Sequence, residues 1–179
     1  MSDWFDPRAL FAGGYPHGIT SALRALPTVR AAVREELAAA GAGRVLEIGP
    51  GDAPVAEGAV FLDVAARFLR PLAGVRVVAD LFQAPFAPGT FDVVIAADVL
   101  THIRPPRRGE ALARMFELGR TLLLFNPEPG TGGVADSVSP TKPLVDYLEQ
   151  TGAAVRARKF VASTPGGDYV MKLVVARRA

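Results

Sequence analysis

Residues 45–54 read VLEIGPGDAP and join a short apolar run to a glycine turn. The apolar residues on either side of Glu47 predict a buried strand. Gly49 and Gly51 remove two side chains where the backbone must turn sharply, so a ligand can approach the chain closely. In an open α/β sheet, ligands bind outside the carboxyl ends of the strands, where this turn would lie. Glu47 is more easily explained by a cationic ligand group than by packing, because unpaired buried charge is costly.

The composition is that of a globular chain that can bury a core. Half of its 179 residues are hydrophobic, which argues against disorder and favours one domain, residues 1–179. No apolar run reaches the length of a membrane span. The absence of cysteine excludes disulfides, thiolate metal sites and cysteine nucleophiles, and it fits a cytoplasmic location. A net charge of +2 does not by itself suggest nucleic-acid binding.

Strands and helices alternate along most of the chain. The predicted strands cover residues 44–48, 59–62, 75–79, 91–97, 120–125, 155–162 and 169–176. The predicted helices cover residues 28–40, with Thr28 as N-cap, 65–69, 105–119 and 139–152. This alternation predicts an α/β fold, a three-layer sandwich with a mostly parallel seven-stranded sheet and helices on both faces. Residues 165–167, PGG, predict a hairpin that makes one of the last two strands antiparallel.

The first 27 residues combine aromatic side chains with glycine and proline and show no sustained helical or strand period. Such a segment either packs on the domain surface as an arm or closes over a ligand site as a lid, since a glycine-hinged aromatic segment can cover a pocket. As a lid, it would place Tyr15 and His17 nearest to a bound acceptor.

Residues 46–51, LEIGPG, resemble motif I of the class I S-adenosylmethionine (SAM) methyltransferases. The resemblance covers residues 44–178 and includes acids that end the second and third strands, FDVVI at 91–95 and VLTHI at 99–103. It implies a Rossmann-like core at 44–178, a last strand antiparallel beside the fifth, and SAM as cofactor with S-adenosylhomocysteine (SAH) as product. A nicotinamide-binding Rossmann domain is the competing interpretation, but the GxGxxG pattern is absent. Residues 1–43 stay outside the core as an N-terminal arm and helix.

The resemblance also implies which residues bind the cofactor. Asp63 would accept hydrogen bonds from both ribose hydroxyls, Asp80 would accept one from the adenine amine, and the Leu81 amide would reach the adenine ring. Either acid could instead be a solvated strand end or a helix cap. The predicted cofactor-binding residues are Glu47, Gly49, Pro50, Gly51, Asp63, Val64, Asp80, Leu81 and Ala97.

Methyl transfer depends mostly on alignment and on exclusion of water, because the sulfonium is already a strong electrophile. A general base matters only if the acceptor must lose a proton. The candidates are His102, His17 and Asp98, although a lone histidine after a strand is more often structural. Tyr15, His17 and Arg104 are the predicted acceptor-binding residues, and Arg104 either pairs with an acidic acceptor or is solvated at a helix start. No metal site is predicted.

The sequence departs from the family pattern in the first crossover. Ala53 stands where the family has a third glycine, and residues 52–59 are too few for the usual helix, so we expect a loop or a single turn there. The predicted function is transfer of a methyl group from SAM to a small-molecule acceptor by direct SN2 displacement, with neither a membrane nor nucleic acid as the expected partner. The alternatives are a non-catalytic SAM-fold module that partners another protein, and a methyltransferase that acts on RNA or protein.

Overall fold

The computed structural model describes residues 19–127, 141–164 and 167–178, and its strands form one seven-stranded sheet in the order β3-β2-β1-β4-β5-β7-β6. The strands are β1 Val45–Ile48, β2 Val60–Asp63, β3 Arg76–Val78, β4 Phe91–Ala97, β5 Gly119–Pro127, β6 Ala154–Thr164 and β7 Gly167–Arg177. The helices are α1 Ile19–Ala25, α2 Pro27–Ala39, α3 Ala66–Leu69, α4 Arg108–Leu118 and α5 Thr141–Gln150. No helix within these described ranges is long and apolar enough to cross a membrane.

The strand directions confirm the predicted α/β fold. β1 to β5 are parallel to one another, and β7 runs antiparallel between β5 and β6. The last strand therefore lies beside the fifth, as the resemblance implies. Dinucleotide-binding sheets have the order 3-2-1-4-5-6, which lacks this inserted antiparallel strand.

The sheet separates two apolar cores. Val94 of β4 packs in a core with Met115 of α4 and Leu148 of α5. Its neighbour Val93 packs in a second core with Val33 of α2. Because successive strand side chains point to opposite faces of the sheet, helices cover both faces and form the predicted three layers.

The N-terminal helices differ from the prediction. α1 lies where the sequence shows no regular period, because its seven residues are too few to establish one and packing of the fully buried Leu23 holds it in place. The predicted N-cap Thr28 is wrong, since α2 begins at Pro27 and Leu26 is its N-cap residue without a side-chain cap. Proline suits this first position because it has no amide hydrogen to satisfy there.

The connection between β1 and β2 contains no helix. Residues 49–59 form turns and bends, which confirms the loop expected over residues 52–59. β1 and β2 are nevertheless adjacent and parallel, with Leu46 opposite Val60. The glycine turn therefore lies at the carboxyl edge of the sheet, between the ends of β2 and β4.

Candidate active site

The glycine turn after β1 contains two left-handed residues. Gly49 and Gly51 have φ of +57° and +56°, a conformation that L side chains rarely adopt. The Gly49 amide donates to the Leu62 carbonyl at 2.8 Å, and a Cβ on Gly49 would lie 2.9 Å from Cγ2 of Val99. Pro50, between the two glycines, is buried. The turn is thus fixed between β2 and the loop after β4, and glycine is needed at both positions.

Glu47 is fully buried on β1 and finds its partners within the chain. Its carboxylate accepts hydrogen bonds from the Val55 amide at 2.9 and 3.1 Å and from the Ala56 amide at 3.0 Å. Nη2 of Arg24 lies 3.4 Å from Oε1. Burial raises the pKa of Glu47, while Arg24 and the two amides lower it. The cation beside Glu47 is therefore Arg24 rather than the ligand group that the sequence suggests, and contact between Glu47 and a cofactor stays a prediction.

Arg24 on α1 is a site residue that the sequence analysis misses. Only 6% of Arg24 is exposed, and its Nη2 donates to the Gly49 carbonyl at 2.8 Å. Its Nη1 lies 3.4 Å from the position that a Cβ on Gly51 would take. Burial lowers the pKa of Arg24, and the charges that raise it belong to Glu47, Asp98, Asp63 and Asp52. The one signal in the sequence is indirect, because a buried acid such as Glu47 needs a cation.

Asp63 ends β2 and Asp80 follows β3, as predicted. Asp63 is 9% exposed and accepts a hydrogen bond from the Ala65 amide at 2.8 Å, and burial raises its pKa. Asp80 accepts one from the Phe82 amide at 3.0 Å, which is the capping role that the sequence left open. A carboxylate has about four lone-pair sites, so these contacts leave both acids able to accept hydrogen bonds from a ligand.

The other predicted cofactor residues are apolar and lie at the same strand ends. Val64 directly follows β2 and is half-buried. Leu81 begins the 3₁₀ turn after β3 and is 6% exposed, and Ala97 ends β4 and is 1% exposed. The structure thus brings these residues to the carboxyl edge of β1 to β4, and their contact with the cofactor stays a prediction.

The loop after β4 holds Asp98 in a strained conformation. Its φ of +57° is uncommon for a residue other than glycine. The Asp98 amide donates to the Phe125 carbonyl at 2.7 Å, and Oδ1 accepts from the Thr101 hydroxyl at 3.0 Å and from the Asn126 amide at 3.3 Å. Asn126 is 3% exposed and has no role in the sequence analysis. The end of β5 therefore fixes both the backbone and the side chain of Asp98.

His102 lies just beyond Asp98, in the 3₁₀ turn Leu100–His102. Burial lowers the pKa of His102, the charge of Asp98 raises it, and the charge of Arg24 lowers it. His102 therefore lies close enough for the charges of Asp98 and Arg24 to act on its imidazole. A lowered pKa leaves the imidazole neutral near pH 7, which is the state that accepts a proton.

We expect His102 to titrate below the ordinary histidine pKa of about 6.5, because burial disfavours the imidazolium. The chain has two histidines, so His17→Gln leaves a single imidazole to follow by NMR. Asp98→Asn should lower the pKa of His102 further, since the Asp98 charge favours the imidazolium. A pKa at or above the ordinary value, or a rise on Asp98→Asn, would contradict this arrangement.

The arginines that follow β4 do not form one anion site. Arg107 donates to both carboxylate oxygens of Glu110 at 2.9 Å, and its guanidinium lies 3.6 Å from the ring centroid of Phe82. Arg108 donates to two backbone carbonyls of the preceding loop. Arg104 is exposed, and its role in acceptor binding stays a prediction. The predicted site residues that lie outside the described part of the chain are Tyr15 and His17.

Residues 37–121 match a family model described as a methyltransferase domain. This match and the fold support the class I SAM methyltransferase family. Motif I, the strand order and the antiparallel β7 agree with this assignment, which confirms the predicted family. Comparison of this methyltransferase with curated protein sequences gave no match.

Solved structures share the fold of this methyltransferase at low sequence identity. One is the 1,6-didemethyltoxoflavin-N1-methyltransferase of Burkholderia thailandensis with bound 1,6-didemethyltoxoflavin and SAH, which is 16% identical with a TM-score of 0.69, over 97% of this chain and 86% of that chain. The magnesium protoporphyrin IX methyltransferase of Synechocystis with bound SAM is 18% identical with a TM-score of 0.61, over 99% and 92%. A SAM-dependent methyltransferase from Archaeoglobus fulgidus is 15% identical with a TM-score of 0.63, over 83% and 94%.

The chemistry of the site fits SAM. Asp63 and Asp80 offer carboxylate acceptors after β2 and β3, and the resemblance assigns these two acids to the ribose hydroxyls and the adenine amine. The missing side chain of Gly51 leaves room for a close approach to the turn. Nε of Arg24 is buried without a hydrogen-bond partner in the described part of the chain, so the site has unused donor capacity.

Proposed function

We propose that this methyltransferase transfers the methyl group of SAM to a small-molecule acceptor by direct SN2 displacement. The observation that carries the proposal is the alignment of the left-handed glycine turn, Asp63 and Asp80 along the carboxyl ends of adjacent strands β1, β2 and β3. Asp98 and His102 follow β4, the next strand on the other side of β1. Ligands of parallel α/β sheets bind at this edge.

SAM supplies the electrophilic methyl group when it is bound. The chain contributes alignment of the acceptor and exclusion of water, which together account for most of the catalysis that methyl transfer needs. If the nucleophile of the acceptor carries a proton, the neutral imidazole of His102 can take it. The charge of Asp98 would then stabilise the imidazolium, since it raises the pKa of His102.

The small-molecule class is supported by similar proteins and by the charge of the chain. Two of the similar structures are named for small-molecule substrates, 1,6-didemethyltoxoflavin and magnesium protoporphyrin IX. A net charge of +2 is small for a nucleic-acid-binding chain. A cell extract separated into low-molecular-weight, RNA and protein fractions tests the class when methyl-labelled SAM is added. Label in the first fraction is expected, and label confined to RNA or protein would contradict the proposal.

Isothermal titration calorimetry with SAH tests the cofactor. We expect the wild-type protein to bind SAH with one site per chain, because the glycine turn, Asp63 and Asp80 form one continuous edge. The absence of binding at high micromolar SAH, with the protein shown to be folded, would contradict the proposal. That result would favour the non-catalytic partner module.

Asp63→Ala should weaken SAH binding about thirtyfold or more. A hydrogen bond to a charged acceptor contributes about 1.5–3 kcal/mol, and about 2 kcal/mol corresponds to about thirtyfold. Asp63→Asn keeps an oxygen that accepts the hydrogen bond of the Ala65 amide. This variant therefore separates the effect of losing that hydrogen bond from the effect of losing the negative charge. Asp92→Asn is a matched control, because Asp92 binds the amides of Gly43 and Arg44 at the opposite end of β4. An unchanged affinity in Asp63→Ala would remove Asp63 from the ribose role.

A further inference from the structure

We propose that the Arg24 guanidinium binds the carboxylate of the methionyl group of SAM, a role that rests on the proposed function. Arg24 lies on α1, outside residues 37–121 that match the family model. Its side chain nevertheless reaches the glycine turn. Nη2 donates to the Gly49 carbonyl at 2.8 Å, and Nη1 lies 3.4 Å from where a Cβ on Gly51 would stand. The missing side chain of Gly51 therefore leaves space directly beside the guanidinium.

The trimmed connection after β1 creates the need for such a cation. A helix N-terminus can bind an anionic group through its free amides and its positive dipole end. Residues 49–59 contain no helix, so this connection has no helix N-terminus to offer. A cationic side chain can instead neutralise a carboxylate that enters the site.

The site itself is acidic, which makes a cation beside the cofactor carboxylate more important. The carboxylates whose charges act on Arg24 are Glu47, Asp98, Asp63 and Asp52. They suit the cationic sulfonium and ammonium groups of SAM and repel its carboxylate. Arg24 lies among these carboxylates. Its positive charge would attract the carboxylate of the zwitterionic amino-acid group of SAM and offset the repulsion from the acids.

Glu47 acts as a positioning residue for Arg24. The two side chains are 3.4 Å apart and almost fully buried, with 7% of Arg24 and none of Glu47 exposed. Nη2 contacts Glu47 and the Gly49 carbonyl, while Nε has no partner among the described residues. A guanidinium has five N–H donors, so these contacts leave part of it unused. Arg24 thus combines a fixed position with donor capacity for a charge-assisted hydrogen bond.

Calorimetry with three ligands tests this role. The ligands are SAH, decarboxylated SAH, which lacks the carboxylate, and 5′-methylthioadenosine, which lacks the whole amino-acid part. Wild-type protein should bind decarboxylated SAH at least about tenfold more weakly than SAH, a factor that corresponds to about 1.4 kcal/mol. Arg24→Gln should lose about the same factor for SAH and keep its affinity for the other two ligands within about threefold.

Controls separate ligand binding from folding. Arg34→Gln removes an exposed charge from α2 and should leave all three affinities unchanged. Arg24→Lys keeps the positive charge but lacks the planar guanidinium with its paired N–H donors. It should therefore retain the fold and show an intermediate loss of affinity for SAH. Circular dichroism reports whether each variant folds.

Two results would overturn the role of Arg24. The first is equal binding of SAH and decarboxylated SAH by the wild-type protein, a measurement that needs no variant. The second is an equal loss of all three ligands in a folded Arg24→Gln, which would make Arg24 a residue that only shapes the site. A folded wild-type protein that binds none of the ligands would instead contradict the proposed function, and this role with it.

Discussion

Replacing Gly49 with alanine should destabilise the protein by about 2–5 kcal/mol and weaken SAH binding. The left-handed conformation at Gly49 costs an L side chain roughly 1–2 kcal/mol. The new Cβ would also lie 2.9 Å from Cγ2 of Val99, a β-branched side chain with few rotamers, and relief of such overpacking costs about 1–3 kcal/mol. The turn cannot rotate away easily, because the Gly49 amide and carbonyl are each hydrogen-bonded at 2.8 Å, to Leu62 and Arg24.

Urea denaturation of Gly49→Ala and of Gly58→Ala separates the cost of the left-handed backbone from the cost of the contact with Val99. Gly58 lies in the same connection with φ of +71°, and a Cβ there would meet nothing within 4 Å. Gly58→Ala should therefore lose only the backbone part, about 1–2 kcal/mol. Equal losses in the two variants would show that contact with Val99 does not constrain the turn.

Strands buried on both faces are the elements that the sequence predicts best. The predicted and observed bounds of β4 coincide at Phe91–Ala97, because such a strand is a continuous apolar run. The edge strand β3 has a weaker pattern, because Val75 just before it and Val78 at its end are 61% and 57% exposed. It spans Arg76–Val78 instead of the predicted 75–79. Motif I and the closing hairpin identify the fold because both are local in sequence.

The polar contacts that fix the site are not local, so no sequence pattern predicts them. Arg24 on α1 meets Glu47 on β1, and Asn126 on β5 meets Asp98 after β4. Periodicity does not reveal α1 either, because a helix of seven residues depends on packing rather than on its own propensity. The positions around the cofactor edge are therefore predictable, whereas the partners that hold them in place follow only from the tertiary structure.

Glu47→Gln should lower the free energy of unfolding by about 3–5 kcal/mol, because it leaves the buried charge of Arg24 without its nearest carboxylate. For a chain of this size, that loss corresponds to a drop in Tm of roughly 6–20 °C. Glu57→Gln is the matched control, since Glu57 lies in the same connection but is exposed, and it should change stability by less than about 0.5 kcal/mol. Thermal and urea unfolding of the three proteins measure the difference.

The double variant Arg24→Met/Glu47→Gln identifies the cause of the loss. The amides of Val55 and Ala56 lose the same carboxylate in both Glu47 variants, so that cost cancels in the comparison. Because the double variant leaves no unpaired charge, it should be more stable than Glu47→Gln alone. A double variant at least as unstable as the sum of the two single variants would show that Arg24 and Glu47 stabilise the site independently. The pair would then have no part in positioning Arg24 beside the glycine turn.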